Sequence, residues 1–260
     1  MSILNVTPDS FSDGGAHFDR MSAIETALQM ETDGAAIIDV GGESTRPGSD
    51  GVSLDEELER VVPVIEGIRA RSRVRISIDT RKARVAEAAL QAGADIINDV
   101  SALQHDAEMC GVAAKHDVPV ILMHMRGDPK TMQEHARYDD VVQDVARELT
   151  LRRDEAIAAG IAEDRIFVDP GIGFAKTFEH NLALLARCGE FAYIAPVVIG
   201  ASRKGFIGNL TGRPSGAARA SGSLAAVAAA HRGGAAIVRV HDVRETVDFL
   251  RVLNAIEAYR

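Results

Sequence analysis

Eight short apolar runs, each followed by a longer amphipathic segment, constrain this chain more than any other feature of its sequence. The runs lie at 3–6, 36–40, 75–79, 95–99, 119–123, 166–169, 197–200 and 237–240. Each is four or five residues long and nearly all apolar, the pattern of a parallel strand covered on both faces. Segments rich in Ala, Glu, Arg and Leu fill the gaps and predict helices at 22–32, 54–71, 82–91, 107–115, 139–159, 178–186, 216–232 and 243–258. Gly34, Gly93, Gly160 and Gly233 follow the last helical turns, where a left-handed residue costs least. Gly34-Ala-Ala-Ile-Ile-Asp-Val, Gly93-Ala-Asp-Ile-Ile-Asn-Asp-Val and Gly234-Ala-Ala-Ile-Val-Arg-Val repeat one helix-to-strand entry. Eight such units in 260 residues, with no Pro/Ser-rich linker, predict one domain over 1–260 folded as a (β/α)8 TIM barrel. A doubly wound open sheet is the alternative, and it lacks the Gly-x-Gly-x-x-Gly turn expected after the first strand.

Composition narrows the function. The formal charge is −9 with no block of like charges, which excludes the footprint of a nucleic-acid binder and leaves room only for a local anion site. The two cysteines, Cys110 and Cys188, fit no metal spacing and no disulfide framework, which points to reduced thiols in a reducing compartment. The N-terminus lacks a basic n-region, and no stretch approaches the roughly 18 apolar residues of a membrane span. A cytoplasmic protein is expected.

In a barrel the chemistry sits at the C-terminal ends of the strands. There the sequence places Asn5, Asp39 with the loop 41–48, Asp79, Asn98 with Asp99, His124, Asp169, the Ser202-Arg203-Lys204 turn, and Arg239 with His241. Asp79, Asp99 and Asp169 have no Glu/His set in ligand spacing beside them, which favours a polar ligand over a protein-built metal cage. An inward carboxylate pairs with an adjacent N–H and NH₂, the two-donor edge of guanine-like and pterin-like rings. Asn98 reads a mixed edge and Lys204 donates to a ring carbonyl, so the set fits a flat heterocycle. Arg46, Arg203, Lys204, Arg239 and His241, with the hydroxyls of Ser44, Thr45 and Ser202, form an anion-friendly group. Arg239 follows an apolar strand and needs an anion or a ring to meet it, which points to a phosphate-bearing substrate. Two glycine-rich loops, 7–15 and 43–51, stand where lids over a barrel mouth usually lie, with Phe11 and Pro47 available to wall a second pocket.

These residues fall into motifs. Asn5-Val-Thr-Pro-Asp-Ser-Phe-Ser-Asp-Gly-Gly15, Asp39-Val-Gly-Gly-Glu-Ser-Thr-Arg-Pro-Gly48, Ser77-Ile-Asp-Thr80, Ile97-Asn-Asp-Val-Ser101, Met123-His-Met-Arg-Gly127, Asp169-Pro-Gly-Ile-Gly-Phe174, Ser202-Arg-Lys-Gly205 and Arg239-Val-His241 together resemble the dihydropteroate synthases, a pterin-binding TIM-barrel family. The resemblance covers essentially the whole chain. It implies a folate-pathway transferase that joins 6-hydroxymethyl-7,8-dihydropterin diphosphate to p-aminobenzoate and releases pyrophosphate with Mg²⁺. By the same resemblance Asp79, Asn98, Asp169 and Lys204 hold the pterin edge, with Met123 and Arg239 on its faces. Asn5, Thr45, Arg46, Arg239 and His241 take the diphosphate, Asn5 also lying near the metal. Phe11, Thr45, Pro47, Phe174, Ser202 and Lys204 line the p-aminobenzoate site. Asp79, Lys204, Arg239 and His241 carry the catalysis, and the family implies a homodimer built from outer helices.

Two departures from the family stand out. The lead before the first strand is short, so a less well covered barrel floor is expected, and Ala218 stands where an acidic residue often precedes the arginine. A methyltetrahydrofolate:corrinoid methyltransferase would share the ring readers but needs no diphosphate site, and the Thr-Pro-Asp-Ser-Phe loop and Ser-Arg-Lys turn speak against it. A catalytically silent pterin-binding protein is the other rival, and no expected polar position is missing to support it.

Overall fold

The computed structural model describes residues 1–7, 16–45 and 48–259. Among these, eight strands alternate with helices: β1 Ser2–Asn5, β2 Ile37–Gly41, β3 Arg75–Asp79, β4 Ile96–Asp99, β5 Val120–Met123, β6 Ile166–Asp169, β7 Val198–Ile199 and β8 Ile237–Val238. Strands β1 to β6 pair in parallel in sequence order, and β7 pairs with β8. Two parallel bridges join these pieces. Val168 meets Val197 between β6 and β7, and Ser2 meets Val240 between β8 and β1. The order therefore closes on itself as a (β/α)8 barrel, which an open doubly wound sheet does not do. All eight runs predicted from the sequence form strands, with ends displaced by one or two residues.

The helices are α1 Ala16–Thr32, α2 Leu54–Arg69, α3 Ala83–Gln91, α4 Met109–His116, α5 Val141–Ala158, α6 Phe178–Ala186, α7 Gly205–Thr211, α8 Ala220–Arg232 and α9 Val243–Glu257. Side chains cap several of them. Ser53 accepts from the Glu56 N–H ahead of three acidic residues in the first turn of α2, and Asp140 accepts from Val142 and Gln143 at the start of α5. Several expectations need correcting. The first helix begins at Ala16 rather than at 22, and Gly205–Thr211 forms a helix where none is expected. The segment 216–232 opens with a 3-10 turn, Gly216–Arg219, and becomes α-helical only at Ala220. The left-handed residue after α8 is Gly234, at φ +76°, while Gly233 stays helical.

Strand alternation separates two environments. Outward residues such as Ile38, Val40, Ile76, Ile78 and Ile97 are fully buried beneath Val61, Ile65 and Ile68 of α2 and Val85, Ala86 and Ala89 of α3. A second cluster joins Val142, Val145 and Leu149 of α5 to Val168, Ile199, Phe206 and Ala230. Inward, Ile37, Ile96, Ile121 and Val198 make one apolar layer at the floor, against which Met1, Phe167 and Ile237 pack. Above that layer the inward side chains turn polar.

Candidate active site at the strand ends

Two residues above the apolar floor, the inward positions are Asp39 on β2, Ser77 on β3, Asn98 on β4, Asp169 on β6 and Arg239 just after β8, with Asp79 one step higher. A strand cannot turn two consecutive side chains inward. Asp99 therefore faces the helices, where it accepts from the Ser101 N–H and hydroxyl and the Leu103 N–H, and it is not part of a carboxylate triad. Closure of the barrel sorts the expected site residues into two arcs. Asp79, Asn98, Met123, Asp169 and Lys204 stand on or after β3 to β7, whereas Arg239 and His241, Asn5, and Thr45 follow β8, β1 and β2.

Arg239 ties the arcs together. Its Nε donates to Asp39 Oδ2 at 2.6 Å and its Nη2 to Asp79 Oδ2 at 2.7 Å. The anion that this arginine needs is thus supplied by the chain itself, and its burial is no evidence for a phosphate. Asp39 Oδ2 also accepts from Asn98 Nδ2 at 3.1 Å, which uses one of the two amide N–H groups, fixes the side chain's orientation and leaves the Asn98 carbonyl oxygen and the second N–H for a ligand. Burial pushes the Asp79 carboxyl up to about 7, with Arg239 pulling against this and Asp39, Glu57 and Asp99 reinforcing it. Among the described residues, Asp39 Oδ1 and Ser77 Oγ, neighbours across β2 and β3, are buried without a hydrogen-bond partner.

On the opposite side Asp169 accepts the Gly171 N–H on Oδ1 at 2.8 Å, and burial raises its pKa against the pull of Lys204. The Lys204 ammonium sits 4.5 Å from the Phe174 ring centroid and donates to the Ile172 carbonyl. Burial pushes it down to about 8, with Asp169 opposing and Arg239 adding to the shift. Gly171, at φ +72°, crosses the rim where a Cβ would lie 1.9 Å from the His124 carbonyl oxygen, so the close approach of the two loops requires glycine. Met123 is inward-facing and buried beside it.

The turn after β7 is held from three sides. Arg203, at φ +58°, donates its backbone N–H to Ser223 Oγ at 2.9 Å and its Nε to Asp242 at 3.1 Å. Its charge is therefore engaged with Asp242. Arg219 donates to the carbonyls of Arg203 and Lys204 at 3.2 and 3.3 Å, a role that Ala218 before it does not disturb. Ser202 Oγ accepts from the His241 N–H at 3.2 Å and lies 3.0 Å from His241 Nδ1, so residues expected in two different subsites touch each other.

The loop after β2 is anchored at its root. Glu43 accepts from Arg81 Nη2 at 2.5 Å and Lys82 Nζ at 2.6 Å, and farther along the Gly48 N–H donates to the Pro129 carbonyl at 3.1 Å. Burial works to raise the Glu43 carboxyl, but the bonds from Lys82 and Arg81 outweigh it and hold it below the usual range. Asn5 and Thr45 are half-buried at the mouth. Phe11, Arg46 and Pro47 lie outside the described residues.

Sequence reasoning missed two groups. Asp39 was placed at a strand end, but its part in orienting Arg239 and Asn98 was not; the inward phase that it shares with Asp79 was the available signal. Lys176 was missed altogether, although it is one of only five lysines in the chain.

Residues 1–241 match the family model described as "Pterin binding enzyme". The chain belongs to the pterin binding enzymes and, within them, to the dihydropteroate synthases, transferases of folate synthesis. It is 50% identical over 257 residues to the dihydropteroate synthase of Escherichia coli K12, spanning 98% of this chain and 90% of the relative. The Xanthomonas albilineans dihydropteroate synthase with 4-aminobenzoic acid superposes with a TM-score of 0.94 at 46% identity, covering 99% of this chain and 92% of that one. The enzyme from Xanthomonas albilineans in complex with 7,8-dihydropteroate gives 0.90 at 44% identity, covering 99% and 93%.

Proposed function

We propose that the barrel mouth condenses 6-hydroxymethyl-7,8-dihydropterin diphosphate with p-aminobenzoate, each arc of the rim taking one part of the pterin substrate. The observation that carries this reading is the assembly of Asp169, Asn98, Asp79 and Lys204 on one arc and of Arg239 and His241 beside it. Asp169 takes the ring's adjacent donors on its carboxylate, a charge-assisted pair stronger than a neutral one. Asn98 accepts through its carbonyl oxygen, Lys204 donates to the ring carbonyl, and Met123 and Arg239 lie against the faces. Asn5, Thr45, Arg46, Arg239 and His241 meet the diphosphate. Phe11, Thr45, Pro47, Phe174, Ser202 and Lys204 enclose p-aminobenzoate.

The C–O bond to the diphosphate breaks, its electron pair leaving with the phosphate oxygen, and positive charge develops at the pterin methylene carbon. The Asp79 carboxylate stabilises that charge, while Arg239 and His241 stabilise the departing diphosphate. The aniline lone pair then forms the C–N bond, and the nitrogen passes a proton to water or to the released pyrophosphate.

The donor chemistry of the mouth fits Mg²⁺ in a particular way. Among the described residues no three His, Cys, Asp or Glu side chains come together as a cage, and Asn5 offers one hard oxygen, so the ion would be held chiefly by diphosphate oxygens and water, as Mg²⁺ commonly is. It would neutralise charge on the leaving group.

The outer face of α9 exposes Val252 and Ile256, with Tyr259 exposed just past its end, a stripe suited to a second copy of the chain, and sedimentation of the purified protein tests the homodimer. No helix among the described residues is long and apolar enough to cross a membrane, and the free thiols Cys110 and Cys188, both raised by burial, support a reducing, cytoplasmic setting. Formation of dihydropteroate and pyrophosphate from the two purified substrates, with and without Mg²⁺, tests the reading. Tight pterin binding without turnover would overturn it in favour of a silent pterin binder.

A further inference from the structure

Behind the β6–α6 loop the buried pair Lys176 and His124, with Glu148 beside them, has no part in the chemistry above. Four successive carbonyls of that loop are each taken by a side chain from a different place. The Ile172 carbonyl accepts from Lys204, that of Gly173 from Gln133 at 3.2 Å, that of Phe174 from Lys176 at 2.8 Å and that of Ala175 from the Tyr138 hydroxyl at 3.0 Å. Ala175 is buried at φ +49°, a conformation that a residue with a Cβ keeps only when its surroundings enforce it.

Lys176 is the innermost of these donors, only 4% exposed. Its Nζ also lies 3.0 Å from His124 Nδ1, and His124 Nε2 lies 2.9 Å from Glu148 on α5. The geometry requires one tautomer, with Nε2–H donating to Glu148 and the Nδ1 lone pair accepting from the lysine. Burial, followed by the nearby Lys176 charge, pushes His124 down to about 4, which keeps the ring neutral as this tautomer demands. Arg126 completes the brace, donating Nε to Glu148 at 3.2 Å while its guanidinium lies 4.0 Å over the Tyr138 ring. A chain of contacts thus runs from α5 through Glu148, His124 and Lys176 to the Phe174 carbonyl. The ring of that residue carries the Lys204 ammonium on its face.

We propose that Lys176, held by His124, is a positioning residue that sets the place of Phe174 against Lys204 and thereby the affinity for p-aminobenzoate. The inference rests on the reading that Phe174 borders the p-aminobenzoate site. Asp79 and Asn98 are held by Asp39 and Arg239 and share none of these bonds, so Lys204 is the one pterin reader that the cluster touches, and it is fixed there by the Ile172 carbonyl, which Lys176 does not hold. The two substrates should therefore respond differently.

The experiment measures KM for p-aminobenzoate and Kd for the pterin diphosphate in K176M, H124L, H124N and F174A. In H124N the asparagine Oδ1 can stand where Nδ1 was and accept from Lys176, although the link to Glu148 is lost. The expected result is a KM raised about tenfold or more in K176M and H124L, substantial recovery in H124N, and a pterin Kd within about threefold of the parent throughout. Retained pterin binding also shows that the variants fold. An unchanged KM in K176M, with F174A raising it, overturns the positioning role alone. An unchanged KM in F174A overturns the site reading and the proposal with it. Equal weakening of both substrates in K176M and H124L, or H124N no better than H124L, reduces the cluster to a stability element and overturns the proposal.

Discussion

The two arcs of the rim solve the same problem differently. From β3 to β7 the groups proposed to face the ligand sit on strand ends, on the turn after β7 or on a loop with four successive carbonyls taken by side chains, and each carboxylate or amide has one atom committed to the protein: Asp169 Oδ1 to Gly171, Asn98 Nδ2 to Asp39. Around β8, β1 and β2 the strand ends contribute Arg239, His241 and Asn5, and the remainder comes from the loop that follows Gly41. Recognition of a flat ring needs donors and acceptors fixed to within a fraction of an ångström, which strands provide. A diphosphate is a diffuse anion that tolerates many placements of its cations, so loops suffice. The difference lies in where the protein satisfies its own polar groups before a substrate arrives.

The largest expected effect falls on Lys204, the residue of the first arc that the proposed function assigns to both the ring and the second substrate. Lys204→Gln should lower kcat by about 100-fold or more, the scale of removing one donor aimed at developing charge. With its pKa pushed down to about 8, the ammonium of the parent loses its proton as pH rises through that value, so kcat/KM should fall on the alkaline side. The variant should lack that limb, and a profile in which both share it would assign the titration to another group. Asp169→Asn comes next. The side chain can still accept the Gly171 N–H, but it no longer offers a carboxylate to the ring, and loss of a charge-assisted pair costs roughly 1.5 to 3 kcal/mol, or about 10- to 100-fold in pterin affinity. Calorimetric titration checks this; a loss below about threefold would move the ring reader off β6.

How much of this was legible depends on the range of the interaction. Asp79 and Asp169 could be read because each ends an apolar run, so the phase of two along the strand points them inward. The same phase, applied one residue further, would have removed Asp99, since Asn98 and Asp99 cannot both face the axis. The bond from Arg239 to Asp39 spans 200 positions and depends on β8 closing against β1, a fact of topology that no local pattern encodes. Helix α7 escaped because Gly205–Thr211 is seven residues long, with Gly205 and Gly208 in it and too short for an apolar period to show. Lys176 escaped because its partners are His124, just after β5 and itself held by Glu148 of α5, and the Phe174 carbonyl of its own loop. Its burial among them is a property of packing, and the sequence around it, Gly171 to Phe178, reads as a glycine-rich loop with one lysine in it.

The smallest expected effect tests how far the second arc is already ordered. If ligand binding must order the loop after β2, the first ligand bears that cost and the second gains the difference, a coupling typically of about 1 to 3 kcal/mol. Part of that ordering is present in the protein alone, because Glu43 is clamped by Arg81 and Lys82, the Ser49 hydroxyl donates to the Ser44 carbonyl at 2.5 Å, and Gly48 is bonded to Pro129. The coupling should therefore lie at the low end: pterin, Mg²⁺ and pyrophosphate together tighten p-aminobenzoate by about fivefold, near 1 kcal/mol. Linkage requires p-aminobenzoate to tighten pyrophosphate by the same factor. Calorimetric titration of p-aminobenzoate into enzyme with and without the three other ligands measures the factor. A value near one would mean that the second arc is as preformed as the first, while about a hundredfold would mean that the clamp at Glu43 leaves the p-aminobenzoate wall unbuilt until the diphosphate arrives. Glu43→Gln separates the two cases further, since loosening the clamp shifts ordering cost onto the ligands and should raise the coupling while weakening the first ligand to bind.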